Sequence, residues 1–303
     1  MREITALAGR DLKIYLRDRS AVFFSLLSAI IVIVLMLVFL GDMNVKSITD
    51  TLDEFHLGSA EQNRVNAKLF ILVWAVGGIL CVNGVTVSAM VMSTMISDYT
   101  GGRLRAFRTA PLSRIKLSLG YIFAAWAASV LICLITLAAS EIFAAANGAV
   151  LPDFAGHAEL VAMILVNCFT YSGIMYFAGV LIKSDGAWSG FSTLTGTLVG
   201  FLGGIYIPLG GLPEGVQTFL KCLPVLHGCS MFRQVLTEKM AAVTLDGLPD
   251  DICALYLEQM GITVKIGGAD ISRLLQLAIL AVCGIIFITA AAVITSRRYK
   301  SDR

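Results

Sequence analysis

The chain has too few charged residues to fold as an ordinary water-soluble protein. Only 15% of its 303 residues are charged, whereas 57% are hydrophobic, and the mean hydropathy is +0.82. A single aqueous core cannot hold that much apolar surface. We therefore expect lipid to be the solvent of most of the chain.

The sequence also lacks the motifs of common catalytic and nucleotide sites. No G-x4-GK[ST], H-E-x-x-H or G-x-S-x-G pattern occurs, and no cysteine pair has metal-ligand spacing. The histidines are isolated from one another: His56, His157 and His227. These absences argue against an ATPase, a hydrolase or a zinc enzyme, and we expect no catalytic residue, metal or cofactor in this chain.

Long apolar runs predict an all-α membrane protein. A helix needs roughly 20 apolar residues to cross the hydrocarbon layer, and six runs reach about that length. They are residues 21–41, 69–96, 117–146, 160–182, 187–207 and 274–295. Period-two polarity, which marks a membrane barrel, is missing from runs such as 29–40. Residues 1–303 are thus predicted to form a single transmembrane domain with six spanning helices.

Basic residues mark one side of the predicted membrane. Five precede residue 21, five lie in the loop 97–116 against one acidic residue, and four follow residue 295. All three groups fall on the same side of a six-span chain, and residues 141–159 on the other side contain no Lys or Arg. The positive-inside rule predicts a multi-pass protein of the cell inner or plasma membrane with cytoplasmic N and C termini. The net charge of +2 reflects this topology, and we expect no nucleic-acid partner.

Two segments outside the runs have their own patterns. Residues 1–18 place apolar side chains on one helical face, which predicts an interfacial helix on membrane lipid, with a frayed tail as the alternative. Residues 208–270 are interrupted by prolines and predict two short helices, 214–222 and 226–240, before an outer cap. Neither is long enough to cross the membrane, so the pattern predicts an outer re-entrant helical hairpin before the last span. We expect no essential disulfide, although oxidation of Cys222, Cys229 and Cys253 stays open.

Two motifs resemble those of a known family. The first is GGRLRAFRTAPLSRIKLSLGY at 101–121, and the second is a P-x4-P-x10-P-x2-H pattern from Pro208 to His227, followed by Arg233. With the six spans and the interfacial head, they resemble the ABC type-2 permeases, the membrane subunits of bacterial exporters of drugs, antibiotics, lipids or polysaccharides. The resemblance covers nearly the whole chain.

The resemblance implies that the loop 97–116 carries a coupling helix that binds an ABC ATPase subunit. The implied coupling residues are Gly102, Leu104, Phe107, Arg108, Pro111, Leu112 and Arg114. Leu104, Phe107 and Leu112 would be apolar anchors inside a basic rim, which is a common organisation of small protein interfaces. Attraction of the arginines to lipid headgroups is the alternative.

A glycine stripe on the fifth predicted span favours close helix packing. Gly196, Gly200 and Gly204 recur every four residues, so another helix can approach closely in lipid. Packing within the chain and packing against a second permease chain are both compatible with the stripe. The resemblance implies a dimer interface and translocation path at this span. It also implies an outer gate at Pro208, Leu212, Pro213, Pro224, His227 and Arg233.

The resulting hypothesis is an exporter subunit without its own ATPase, working by alternating access in a permease dimer. ATP and Mg would be held by separate ATPase subunits. The apolar path favours drug-like, peptide or lipid cargo, while the cargo itself and the choice between homodimer and heterodimer stay open. The alternative is an ion-coupled secondary transporter, which would more often carry buried acidic residues or paired broken helices.

Overall fold

A computed structural model describes residues 2–35, 41–103 and 113–301, with side chains described for 2–27, 30, 43–103 and 113–296. The described chain is almost entirely helical, which confirms the all-α prediction, and its one β-hairpin pairs Lys265–Ile266 (β1) with Ala269–Asp270 (β2). The helices are α1 (Arg2–Arg17), α2 (Arg19–Leu35), α3 (Gly41–Glu54), α4 (Ala60–Thr100), α5 (Arg114–Ala146), α6 (Phe154–Leu181), α7 (Asp185–Leu202), α8 (Glu214–Lys221), α9 (Pro224–Thr244), α10 (Asp250–Gln259) and α11 (Arg273–Ser301).

Four described helices are long and apolar enough to cross a membrane: α4, α5, α6 and α11. They correspond to the second, third, fourth and sixth predicted spans. Helix α2, at the first predicted span, is described only to Leu35. The fifth span was predicted to run to residue 207, but α7 ends at Leu202. The turn that follows contains Gly204 at φ +60°, a left-handed conformation that breaks the helix. The first and fifth spans stay predictions.

Helix α4 lies at the centre of the bundle and packs against α2, α3, α5, α6, α7 and α9. Its most apolar stretch is 89% buried, so the surrounding helices, and not lipid, cover it. Polar side chains join it to its neighbours: Asn83 donates to Thr136 Oγ1 at 2.9 Å, and the Ser88 hydroxyl lies 3.0 Å from Ser129 Oγ and 3.2 Å from Ser172 Oγ. Such hydrogen bonds between spanning helices help fix their packing.

Residues 2–17 form the amphipathic helix α1, which packs mainly against α5. Its buried residues are Leu7, Asp11 and Tyr15, spaced one turn apart. Gly120 of α5 allows the close approach, because a Cβ there would lie 2.7 Å from Leu7 Cβ. Ile14 and Leu16 stay exposed, so the helix has an apolar surface left over. Its contact with a lipid leaflet remains a prediction.

Prolines set the helix boundaries between residues 208 and 270. Pro213 immediately precedes α8, and Pro224 is the first residue of α9, a position where its missing N–H costs no helical hydrogen bond. Helix α8 agrees with the predicted helix 214–222, but α9 has 21 residues and is longer than the predicted 226–240. The short-helix argument for a re-entrant hairpin therefore does not apply to α9.

Helices α4 and α9 are in close contact at Gly77. A Cβ at this position would lie 2.9 Å from the Arg233 backbone nitrogen and 2.9 Å from Arg233 Cγ. Real Cβ atoms essentially never come so close to backbone. Glycine at 77 is thus a condition for the α4–α9 contact.

We predict that Gly77→Ala forces α9 away from α4 and destabilises the protein by about 1–3 kcal/mol, the usual cost of overpacking. Thermal unfolding of the purified protein in detergent measures the loss. Gly190→Ala is the matched control, because Gly190 is a helical glycine with nothing within 4 Å of its Cβ position. Equal stability of the two variants would contradict the proposed close contact.

Candidate functional site

A buried carboxylate lies in the last turn of α4, next to the predicted coupling loop. Asp98 is 0% exposed and accepts hydrogen bonds from Arg10 Nη1 at 2.7 Å, Arg10 Nη2 at 2.8 Å and the Tyr121 hydroxyl at 2.8 Å. Arg103 Nε lies 3.1 Å from Asp98 Oδ1. Together with the adjacent Asp11 these residues form what we call the Asp98 cluster, which joins α1, α4, α5 and the loop.

The position of Asp98 explains why it needs several donors. The C-terminal end of a helix carries partial negative charge, which disfavours a carboxylate, and burial removes the water that would solvate it. The paired hydrogen bonds from Arg10 are charge-assisted and bidentate, the strongest kind available to a carboxylate. The hydrogen bonds to Asp98 raise the pKa of Arg10 further above its ordinary value. Arg10 is therefore held on α4 with its charge retained.

Asp11 is a second buried acid in the cluster, 1% exposed, with Oδ1 3.1 Å from Arg10 Nη1. Its burial raises its pKa to about 6; the attraction of Arg10 opposes this rise, and the negative charge of Asp98 adds to it. The cluster thus holds two acids and two arginines, one of which, Arg103, is largely exposed. Near pH 6 its net charge changes as Asp11 titrates.

The coupling loop itself begins later than predicted, because α4 continues through Thr100. Gly102 follows at φ +72°, a conformation that glycine adopts without strain. At the far side, Ser113 accepts from the Lys116 amide at 3.3 Å and caps α5, which starts at Arg114. The other predicted coupling residues lie outside the described residues: Leu104, Phe107, Arg108, Pro111 and Leu112.

Two of the three predicted stripe glycines border a cavity of about 270 Å³ between α2, α4 and α7. Gly196 faces Thr86, whose Cγ2 would be 3.8 Å from a Cβ, and Gly200 packs against the Tyr206 ring. Gly204 is not on the helical stripe, since it lies in the turn after α7. At Gly196 and Gly200 the stripe contacts residues of the same chain, and the dimer interface at this span stays a prediction.

The predicted gate residues are spread along the segment after α7. Pro208 and Leu212 flank the 3-10 turn Leu209–Gly211, while Pro213 and Pro224 mark the starts of α8 and α9. His227 is 2% exposed and its Nε2 lies 2.9 Å from Lys221 O. Arg233 is 0% exposed and donates from Nη2 to Gly204 O at 3.0 Å. The structure thus joins Arg233 to the turn after α7, and His227 to α8.

The motif analysis missed the Asp98 cluster. One signal was present: Asp98 is the single acidic residue in a loop segment with five basic ones. It also missed Arg273, whose guanidinium reaches Glu159 at 3.1 Å, Glu238 at 2.6 Å and Gln234 at 3.3 Å. This second group ties the start of α11 to α6 and α9. Partners so far apart in sequence cannot be found without the fold.

We predict that Asp98→Asn destabilises the protein by about 3–5 kcal/mol, because it removes the bidentate carboxylate partner of Arg10 and leaves this partly buried charge only the contact with Asp11. Arg10→Gln should cost a similar amount, and the double variant less than the sum of the two. Thermal unfolding of the three variants gives the coupling energy. Asp185→Asn is the control, since Asp185 is an exposed acceptor of Thr100 Oγ1. Strictly additive losses would contradict the ion pair.

A pH dependence follows from the raised pKa of Asp11, which is about 6 in the folded state and about 3.9 in an unfolded chain. Between these values the folded state binds more protons, so the docking of α1 should weaken as the pH rises from about 4 through 6. Hydrogen exchange of residues 2–17, corrected for the intrinsic rate, should show less protection at pH 8 than at pH 5. Asp11→Asn should remove the difference; if it persists in that variant, another group is responsible.

Comparison with known protein families places most of the chain. A family model described as ABC-2 family transporter protein matches residues 41–293, from the start of α3 to within the last span. No curated protein sequence matches the chain significantly. Because the family match covers most of the chain, and the four apolar spanning helices agree with a membrane component, the chain belongs to the ABC-2 family of transporter proteins.

Proposed function

We propose that this ABC-2 membrane subunit works in an ATP-driven exporter. Two permease chains, identical or different, would assemble with two separate ABC ATPase subunits, which hold ATP and Mg. The observation that carries the proposal is the Asp98 cluster. It connects the base of the predicted coupling loop rigidly to three helices. A loop that receives force from a partner needs such a connection to pass the movement on.

The connection has a defined route into the bundle. Arg103 ties the start of the loop to Asp98 at 3.1 Å, and α4 continues from Asp98 to the cavity at Thr86 and Asn83. Closure of the ATPase subunits would move the loop, α4 would move with it, and the walls of the cavity formed by α2 and α7 would separate. ATP binding can bias this change only through contacts that differ between the two states.

The proposed orientation places the Asp98 cluster and both termini on the cytoplasmic side of a bacterial inner membrane. The basic residues before residue 21, in the loop and after residue 295 support this assignment by the positive-inside rule. The Arg273 group would then lie on the outer side with segment 208–270. The few polar groups that line the cavity support small drug-like, peptide or lipid cargo.

An ion-coupled transporter is less well supported. The acidic residues of the four spanning helices lie near the helix ends, at Glu61, Asp98, Glu141 and Glu159. A proton or sodium relay needs such groups at membrane depth. Transport driven by an ion gradient in the absence of ATP would favour this alternative.

We predict that Phe107→Asp combined with Leu112→Asp abolishes co-purification with the ATPase subunit, because charges would replace two apolar anchors of the interface. The chain alone should show no ATPase activity. Phe154→Asp is the control, since Phe154 is 90% exposed at the start of α6, on the opposite side in the proposed topology. Full ATPase binding by the double variant would overturn the coupling proposal.

A further inference from the structure

Arg233 of α9 is a fully buried cation without an acidic partner. It is 0% exposed, and no carboxylate of the described residues lies within 4.0 Å of it. A buried charge is normally paired because water no longer solvates it. Two partly buried arginines, Arg10 and Arg273, follow that rule, whereas Arg233 does not.

The contacts of the guanidinium leave part of it unused. Its Cζ lies 4.2 Å from the centroid of the Trp74 ring, a cation–π contact, and Nη2 donates to Gly204 O. Within the described part of the chain, Nε and Nη1 have no hydrogen-bond partner. Two donors of a buried cation therefore remain for a group that the described residues do not supply.

Two glycines lie beside Nη1 of the guanidinium and bring no side-chain atoms close to it. A Cβ at Gly261 would lie 3.4 Å from Nη1, and one at Gly204 would lie 3.9 Å from it. Both glycines have positive φ, +63° and +60°, so each lies in a backbone turn next to this nitrogen. Trp74 is held in place by its own hydrogen bond from Nε1 to Met260 O at 2.9 Å. The pocket around the cation is thus built from fixed backbone and a fixed ring.

Ile205 separates this cation from the apolar cavity. Its side chain lines the cavity, and it follows Gly204 in the turn after α7. A Cβ built on Gly78 would lie 2.6 Å from Ile205 Cγ1 and 3.2 Å from Arg233 Nη2, so the two side chains border the same point. Displacement of Ile205 would join the cavity to the guanidinium.

We propose that Arg233 binds the anionic head of an amphipathic molecule whose apolar body occupies the cavity. This inference rests on the proposed transport function and names the chemical class of its cargo: one anionic group, carboxylate or phosphate, on a hydrocarbon body. The anion would accept hydrogen bonds from the unpaired guanidinium donors, a charge-assisted interaction. Cavity walls rich in apolar side chains, among them Phe24, Val82 and Met90, suit the hydrocarbon part.

Trp74 provides a direct signal for this binding, because its ring stacks on the guanidinium. The full-length chain with Trp126→Phe and Trp188→Phe keeps Trp74 as its one tryptophan, since the sequence has three. In nanodiscs of zwitterionic lipid, titration with dodecyl phosphate should change its fluorescence saturably. Dodecyl maltoside, which has the same chain and no charge, should not.

Two variants test the assignment to Arg233. Arg233→Gln should weaken the dodecyl phosphate response at least tenfold. Ile205→Ala keeps the cation and the ring and removes the side chain between them and the cavity. It should bind dodecyl phosphate faster, and this result supports the route through Ile205 even if the glutamine variant fails to fold. Equal responses to dodecyl maltoside, or an unchanged affinity in Arg233→Gln, would overturn the proposal.

A further arm distinguishes a transported molecule from a membrane lipid as the source of the anion. Replacing part of the lipid with phosphatidylglycerol should shift Trp74 fluorescence before titration if a lipid occupies the site, and leave it unchanged if only the single-chain anion does. Both results support the anion site. Since the assay needs no ATPase subunit, its failure is independent of a failure of the coupling test.

Discussion

The arrangement of this protein depends on the cost of burying the Asp98 carboxylate at the negative end of a helix. Helix dipole and burial both oppose the charge, and only nearby cations and hydroxyl donors offset them. The donors come from three places in the chain: Arg10 of α1, Arg103 after α4 and Tyr121 of α5. Satisfying one carboxylate therefore fixes the amphipathic helix, the central helix and the base of the loop relative to one another.

The N-terminal half of α4 meets a different electrostatic problem with a different solution. Near Trp74 the buried charge is positive, and an aromatic ring and a backbone carbonyl replace the acid that an ion pair would supply. Such contacts hold the cation without neutralising it. Among the described residues, the C-terminal end of the central helix thus pairs its buried charge, whereas the N-terminal half contacts a buried cation that has two nitrogens without a hydrogen-bond partner.

Apolar length predicted the helical membrane fold, because 20 or more apolar residues allow few other structures. It could not place the end of α7, where Gly203 and Gly204 stop a helix that hydrophobicity alone would extend to residue 207. Prolines predicted the boundaries at 213 and 224 but not the length of α9, which continues four residues beyond the predicted end at 240. The Asp98 cluster was not predictable from motifs, since Arg10 and Asp98 lie 88 residues apart and neither has a characteristic neighbour pattern.

The length of α4 has a mechanical consequence. Its 41 residues correspond to about 60 Å at 1.5 Å per residue, roughly twice the hydrocarbon thickness. A straight rod of that length tilting by about 5° around its midpoint moves each end by about 2.5 Å in opposite directions. Asp98 lies 18 residues from the midpoint of α4 and would move by about 2.4 Å, whereas Trp74 lies six residues from it and would move by about 0.8 Å in the opposite direction. A displacement at the Asp98 end would therefore reach the Trp74 region reversed in direction and reduced to about a third.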